Sequence, residues 1–241
     1  MPNELITASS RELATELTAY DEKMLSVFEY LGLPTNNILV KVDERRKVFK
    51  NIEDVLEPLS SETLETSTYI SKFLSAVSAG LFDAALNYLW DETVSQLRFR
   101  VSQYDIQYFF DLAVTSDKRT KLSTEDDLVK IDDSELIQGA KEIGLISDIG
   151  YRLLDNIKFM RNWASAAHPN QVELTGLQLI DWLETCIKEV ISLPLSNLTI
   201  QIGKLLRNIK TNTLDEAEAE TISNFFCELT SEKANSLCNG F

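Results

Sequence analysis

Histidine, glycine, proline and cysteine are all scarce in this chain, and each shortage narrows the possible structures. With only 8 glycines and 5 prolines in 241 residues, the composition favours helices over a turn-rich β architecture. The three cysteines, at positions 186, 227 and 238, form no Cys-x-x-Cys pair, which is typical of a reduced protein. One histidine and no cysteine pair provide too few ligands for a structural zinc site, so we expect no metal and no cofactor.

Long apolar runs and positive charge are also in short supply. No apolar run approaches the roughly 18 residues that a membrane helix needs, and the start of the chain lacks the basic and apolar regions of a signal peptide. We therefore expect a cytoplasmic protein with no membrane partner. The net charge of -15 counts against broad attraction to nucleic acid, although a summed charge does not exclude a local basic cleft.

What the sequence does contain is apolar residues at helical spacing along most of its length, which predicts an all-α fold. Ser9 and Glu12 fit a capping box before the first helix, and Gly32 ends that helix. A helical pattern from Ser61 to about Gln107 predicts two helices that break near Gly80. The remaining predicted elements are a helix over 43–56, an aromatic buried segment over 104–114, a loop over 116–133, and helices over 134–146, 147–168 and 175–193.

Differences in character divide the chain into three predicted regions. Residues 1–59 form an N-terminal helical region, residues 60–193 a helical bundle, and residues 194–241 a C-terminal helical extension. The last residues, Asn239-Gly240-Phe241, place an aromatic side chain directly after a helix-stopping glycine. From this ending we expect the natural chain to continue.

The single histidine, His168, lies seven residues after Arg161 in a predicted helix. That separation closes two helical turns, so both side chains should leave one face roughly 10 Å apart along the axis. A fixed cation beside a group that titrates near neutrality suits metal-free cleavage of a phosphodiester.

RNA carries its own nucleophile, so each of these residues can take a defined role in its cleavage. His168 can act as base or acid, Arg161 can hold two phosphate oxygens with its planar fork, and the Asn162 amide can orient the phosphate or a neighbouring side chain. The reaction moves two protons and one chain supplies one histidine. The chemistry therefore favours a homodimer with two such helices meeting at a twofold axis.

Structural interpretations of the same residues remain open. A histidine in the last turn of a helix is favoured by the helix dipole, with no function implied. Lys204, Arg207 and Lys210 cluster on one side of an amphipathic segment, where they either contact RNA phosphates or form a solvated face. Trp163 either packs in a core or interface or stacks a base.

The run from Leu153 to Asn162, continued to His168-Pro169-Asn170, resembles the signature of the HEPN superfamily: an arginine, a polar residue, a short spacer and a histidine late in a helix. Amphipathic helices before and after the run extend the resemblance over roughly 61–193. The resemblance implies an all-α bundle that dimerises through the motif helices. It also implies metal-independent endoribonuclease activity, often in toxins and anti-phage systems, with Arg161, Asn162 and His168 as catalytic positions. The alternative is a non-catalytic helical module that dimerises or binds a protein partner in a larger complex.

Overall fold

The computed structural model describes residues 10–164 and 173–193, and every regular element within these ranges is helical. The all-α prediction is therefore confirmed for the described residues. None of the described helices is both long and apolar enough to cross a membrane. The described part of the chain contains ten α-helices: α1 (Ser10–Tyr30), α2 (Val42–Leu56), α3 (Ser61–Thr66), α4 (Thr68–Ser78), α5 (Phe82–Ser102), α6 (Ile106–Ala113), α7 (Ser116–Arg119), α8 (Asp133–Glu142), α9 (Asp148–Ala164) and α10 (Gly176–Cys186).

The described residues fall into two compact units. The first contains residues 10–93, 157–164 and 173–188, and the second contains residues 94–156 and 189–193. Helices α5 and α9 contribute residues to both units. The predicted division into regions 1–59, 60–193 and 194–241 stays a prediction, because the third region lies outside the described residues.

In the first unit, α1 and α10 both pack against α2. The approach of α10 is close: a Cβ added at Gly176 would lie 2.0 Å from the backbone oxygen of Glu44, so only glycine fits there. The Glu44 carboxylate accepts a hydrogen bond from the Gly176 backbone N–H at 2.9 Å. A side-chain hydrogen bond from Lys47 and this N–H together lower the pKa of Glu44.

Helix α2 of the first unit carries a fully buried arginine, Arg45. The Arg45 guanidinium forms an ion pair with Asp21 of α1 and donates to the carbonyl oxygens of Val40 at 2.8 Å and Ser78 at 3.1 Å. Gly80 has a φ of +73°, and a Cβ there would lie 3.0 Å from this guanidinium. The predicted break at Gly80 is confirmed, and the buried arginine gives a second reason for glycine at that turn.

The second unit has an aromatic core between α6 and α8. Tyr104, Tyr108, Phe109 and Phe110 are all buried, as predicted for the segment over 104–114. A Cβ on Gly139 of α8 would lie 2.6 Å from the Phe109 ring, so this glycine permits the close contact of the two helices.

The predicted loop over 116–133 is wrong in part, because this segment contains α7 and a 3-10 helix over Glu125–Lys130. Two of its basic residues bind neighbouring helices: Lys118 pairs with Glu135 of α8, and Arg119 binds Asp111 and the side-chain oxygen of Gln107 in α6. Apolar residues in this segment do not recur at helical spacing, because its short helical turns are stabilised by side-chain ion pairs and hydrogen bonds rather than by a continuous apolar stripe.

Asp127 provides a test of how this segment is held, because its carboxylate is buried within it. The Lys130 ammonium and the backbone N–H groups of Ser123 and Thr124 hold the pKa of Asp127 far below its usual range. A carboxyl with a lowered pKa stabilises the fold above its unfolded pKa of about 3.9, and that stabilisation is lost as the pH falls further. We expect Asp127→Asn to lower the urea midpoint of unfolding at neutral pH, and the difference from the parent to shrink below about pH 4.

The control for that measurement is Asp126→Asn, which changes the exposed neighbouring carboxylate. This variant should leave the midpoint close to that of the parent at every pH. Equal effects of the two substitutions would show that the hydrogen bonds to Asp127 do not stabilise the segment.

The helices predicted over 43–56 and 134–146 are confirmed within a few residues. The helix predicted over 175–193 is α10 followed by a π-helix over Ile187–Ile191, and the end of the helix predicted over 147–168 lies outside the described residues. One prediction in the middle of the first unit is wrong. The pattern from Ser61 to Gly80 predicted one helix, whereas the structure has α3 and α4, separated at Ser67. The buried Ser67 hydroxyl accepts a hydrogen bond from the Ile70 backbone N–H at 3.1 Å and donates one to Glu92 at 2.8 Å. The serine thus ends one helix and caps the next.

Candidate functional site

The candidate site is built on the last turn of α9, which carries Arg161. Helix α9 begins at Asp148, where the Ser147 hydroxyl accepts a hydrogen bond from the Gly150 backbone N–H at 2.9 Å. Leu154 and Ile157 are buried along one side of the helix. Arg161 follows Ile157 by four residues, so its side chain leaves the helix near this buried side and is itself half-buried.

Arg161 is fixed by a residue of α5. The Asn87 side-chain oxygen accepts a hydrogen bond from Arg161 Nε at 3.0 Å. The Asn87 side-chain nitrogen donates to the backbone oxygen of Asp83 at 2.9 Å. Because the amide nitrogen is used in its own helix, the amide oxygen must face the arginine. The bond to Nε then sets the plane of the guanidinium and orients its terminal nitrogens.

Asn162 contributes to the same arrangement from the solvent side. It is exposed, and its side-chain oxygen accepts a hydrogen bond from Arg161 Nη1 at 3.1 Å. The guanidinium therefore extends from the half-buried Asn87 to the protein surface. Of the two roles that the sequence leaves open for Asn162, its position supports orientation of a neighbouring side chain.

Trp163 lies on a different side of α9. Its ring packs against that of Phe159, with centroids 5.6 Å apart and planes tilted by 44°. Both residues are two positions from Arg161, which places them on nearly the opposite side of the helix. This placement favours a packing or interface role for Trp163 over base stacking beside Arg161 of the same chain.

The remaining predicted site residues lie outside the described residues. These are His168 and the three cations Lys204, Arg207 and Lys210. The prediction that Arg161 and His168 share one helical face therefore stays a prediction, since the described part of α9 ends at Ala164.

Sequence reasoning missed Asn87, which is 74 residues from Arg161 along the chain. An asparagine inside a helix usually hydrogen-bonds to its own backbone or points to solvent, so its type and position gave no signal of a partner. Cys186 is not a second candidate nucleophile. It is fully buried, and burial raises the pKa of its thiol to about 12, which keeps it uncharged.

Comparison of the chain with family models, with curated proteins and with solved structures finds no match. The described residues therefore show the type of protein and no family. It is a helical protein in which an arginine at the end of α9 is held by an asparagine of a neighbouring helix and reaches the surface.

Proposed function

We propose that the protein is a HEPN-like, metal-independent endoribonuclease that acts as a homodimer in a toxin or anti-phage defence system. The observation that carries the proposal is the guanidinium of Arg161, whose plane is set by Asn87 and whose end lies at the surface beside Asn162. An arginine oriented before substrate binds stabilises a phosphate without reorganisation during the reaction. The resemblance of the run around Arg161 to the HEPN signature adds the reaction class.

The proposed reaction needs no group beyond the side chains and the RNA. A base takes the proton of the 2′-hydroxyl, whose oxygen forms a bond to phosphorus, and the bond from phosphorus to the 5′-oxygen breaks. An acid gives a proton to that leaving oxygen. His168 supplies these proton transfers, and Arg161 stabilises the charge that builds on the phosphate oxygens. The products are a 2′,3′-cyclic phosphate and a 5′-hydroxyl.

The dimer follows from the number of histidines. One chain supplies one His168, and two proton transfers at one phosphate are best served by two. Phe159 is 51% exposed and packs beside the half-buried Trp163, but this pair lies nearly opposite Arg161 on α9 and would not bring two Arg161–His168 sites together. The contact between the two copies is therefore expected on the Arg161 side of the helix.

The direct test is cleavage of a single-stranded RNA by the purified chain in the presence of EDTA. We expect cleavage to continue, with products that end in a 2′,3′-cyclic phosphate or the 3′-phosphate formed from it. The 2′-hydroxyl must be the nucleophile, so an RNA with a 2′-deoxy or 2′-O-methyl group at the cleaved position should stay intact.

Activity that disappears with EDTA, or products that end in a 3′-hydroxyl, would overturn the mechanism. Light scattering on the same preparation should give the mass of a dimer. A protein that is dimeric but does not cut RNA would support the alternative, a non-catalytic module that dimerises or binds a protein partner.

A further inference from the structure

A lysine between two tyrosine rings lies close to the candidate site in the first unit. The Lys72 ammonium is 5.3 Å from the centroid of the Tyr69 ring and 5.6 Å from that of Tyr88. Lys72 is exposed and both tyrosines are half-buried, so the rings are held by the fold while the ammonium meets solvent. No carboxylate in residues 10–164 and 173–193 forms an ion pair with Lys72, whereas Lys47, Lys118 and Lys130 each have one.

The position of Tyr88 connects this cluster to Arg161. Tyr88 directly follows Asn87 in α5, so their Cα atoms are about 3.8 Å apart. The two side chains leave α5 about 100° apart. One contacts Arg161 of α9, and the other contacts Lys72 of α4. Arg161 and Lys72 therefore contact adjacent residues of α5.

We propose that Tyr69, Lys72 and Tyr88 form a subsite for a nucleotide that neighbours the cleaved phosphate in single-stranded RNA. Tyr88 and Tyr69 present ring surface to a base, and Lys72 contacts a backbone phosphate. The inference rests on the proposed function, because Arg161 defines where the cleaved phosphate lies. It also specifies the substrate of the proposed nuclease as unpaired RNA, whose bases can leave the stack and reach a tyrosine ring.

The chemistry of the cluster favours RNA over an acidic protein surface. A protein carboxylate would need only the ammonium, whereas here two aromatic rings are placed against the same cation. Stacking on a ring tolerates any base, since every base has a π face. The subsite should therefore select for single-stranded substrate without strong preference for base identity.

The test is binding of a fluorescent single-stranded RNA to the full chain carrying His168→Ala, which should bind the RNA without cutting it. In this background we expect Tyr88→Ala to weaken binding about 5- to 150-fold, the range of one lost base stack. Lys72→Ala should weaken binding and also reduce the slope of log affinity against log salt by about 0.7, the value for one phosphate contact on a single strand.

Matched controls come from the same unit. Tyr30 is 89% exposed on α1, and Lys50 is exposed on α2, so Tyr30→Ala and Lys50→Ala remove the same chemical groups elsewhere. Both should bind RNA like the parent. Tyr88→Phe keeps the ring and should keep the affinity, which separates loss of stacking from loss of folding.

The subsite would be overturned if the His168→Ala parent did not bind RNA, or if the Tyr88→Ala and Lys72→Ala variants bound it as tightly as that parent. Loss of binding in Tyr88→Phe, or binding of duplex RNA as tight as that of single-stranded RNA, would also overturn it. Displacement of the RNA by polyglutamate at equal charge concentration would assign the surface to an acidic protein instead. Failure of the subsite is distinct from failure of the nuclease, because cleavage with EDTA is measured on the unaltered chain.

Discussion

His168→Ala is expected to lower RNA cleavage by at least about 100-fold while the helical circular dichroism spectrum stays unchanged. The chain has no other histidine to take over the proton transfer. Arg161→Ala should cause a loss of similar size by removing charge stabilisation at the phosphate. Because both residues act in one step, the double variant should be little worse than either single variant.

Substitution of Asn87 should reduce cleavage less than substitution of His168 or Arg161. Since Asn87 only orients Arg161, Asn87→Ala should lower kcat by about 10-fold, in keeping with one hydrogen bond to a charged group, and should change KM much less. Arg152→Ala is the control, because Arg152 is an exposed arginine on the same helix. Unaltered cleavage in His168→Ala, or an equal loss in Arg152→Ala, would contradict the assignment.

Arg45→Met is expected to destabilise the first unit by about 3 kcal/mol, the scale of a broken buried ion pair. The change leaves Asp21, which is only 17% exposed, without its counter-charge, and it removes the donors to the Val40 and Ser78 carbonyl oxygens. Urea denaturation followed by tryptophan fluorescence measures the loss, since all three tryptophans belong to the first unit.

A double variant and a neighbouring arginine make that measurement specific. Adding Asp21→Leu to Arg45→Met should restore part of the lost stability, because no uncompensated charge then remains. Arg46→Met changes the adjacent arginine, whose pair with the exposed Asp43 should contribute at most about 1 kcal/mol. Strictly additive losses in the double variant, or equal losses at positions 45 and 46, would show that burial of the pair is unimportant.

The sequence predicted those helix ends that depend on neighbouring residues. Gly32 has a φ of +71° after α1, and the helix predicted from position 175 begins at a capping box that the structure shows between Thr175 and Gln178, so both ends depend on residues within a few positions. The end of α3 could not be predicted in the same way. Ser67 is compatible with a helix interior, and its cap is stabilised by Glu92, which is 25 residues away.

The residues of the candidate site could likewise be predicted only where they are close together in the sequence. Arg161, Asn162 and His168 were found because they occur within one short run. Asn87 and the tyrosines around Lys72 were not, since their roles arise from contacts between α5, α4 and α9. A single sequence carries periodicity and local capping, but it does not state which distant polar side chains meet.

The contact of Gly176 with Glu44 also bears on synthesis of the protein. It joins residues 132 positions apart, and residues 94–156 of the second unit are translated between them. During translation, α1 and α2 leave the ribosome long before α10 exists to cover them. Residues 94–156 of the second unit are complete before α10 is made, residues 189–193 of that unit follow α10, and the apolar side of α2 stays uncovered until α10 is translated. Nascent chains halted before Gly176 should therefore be the species most in need of a chaperone.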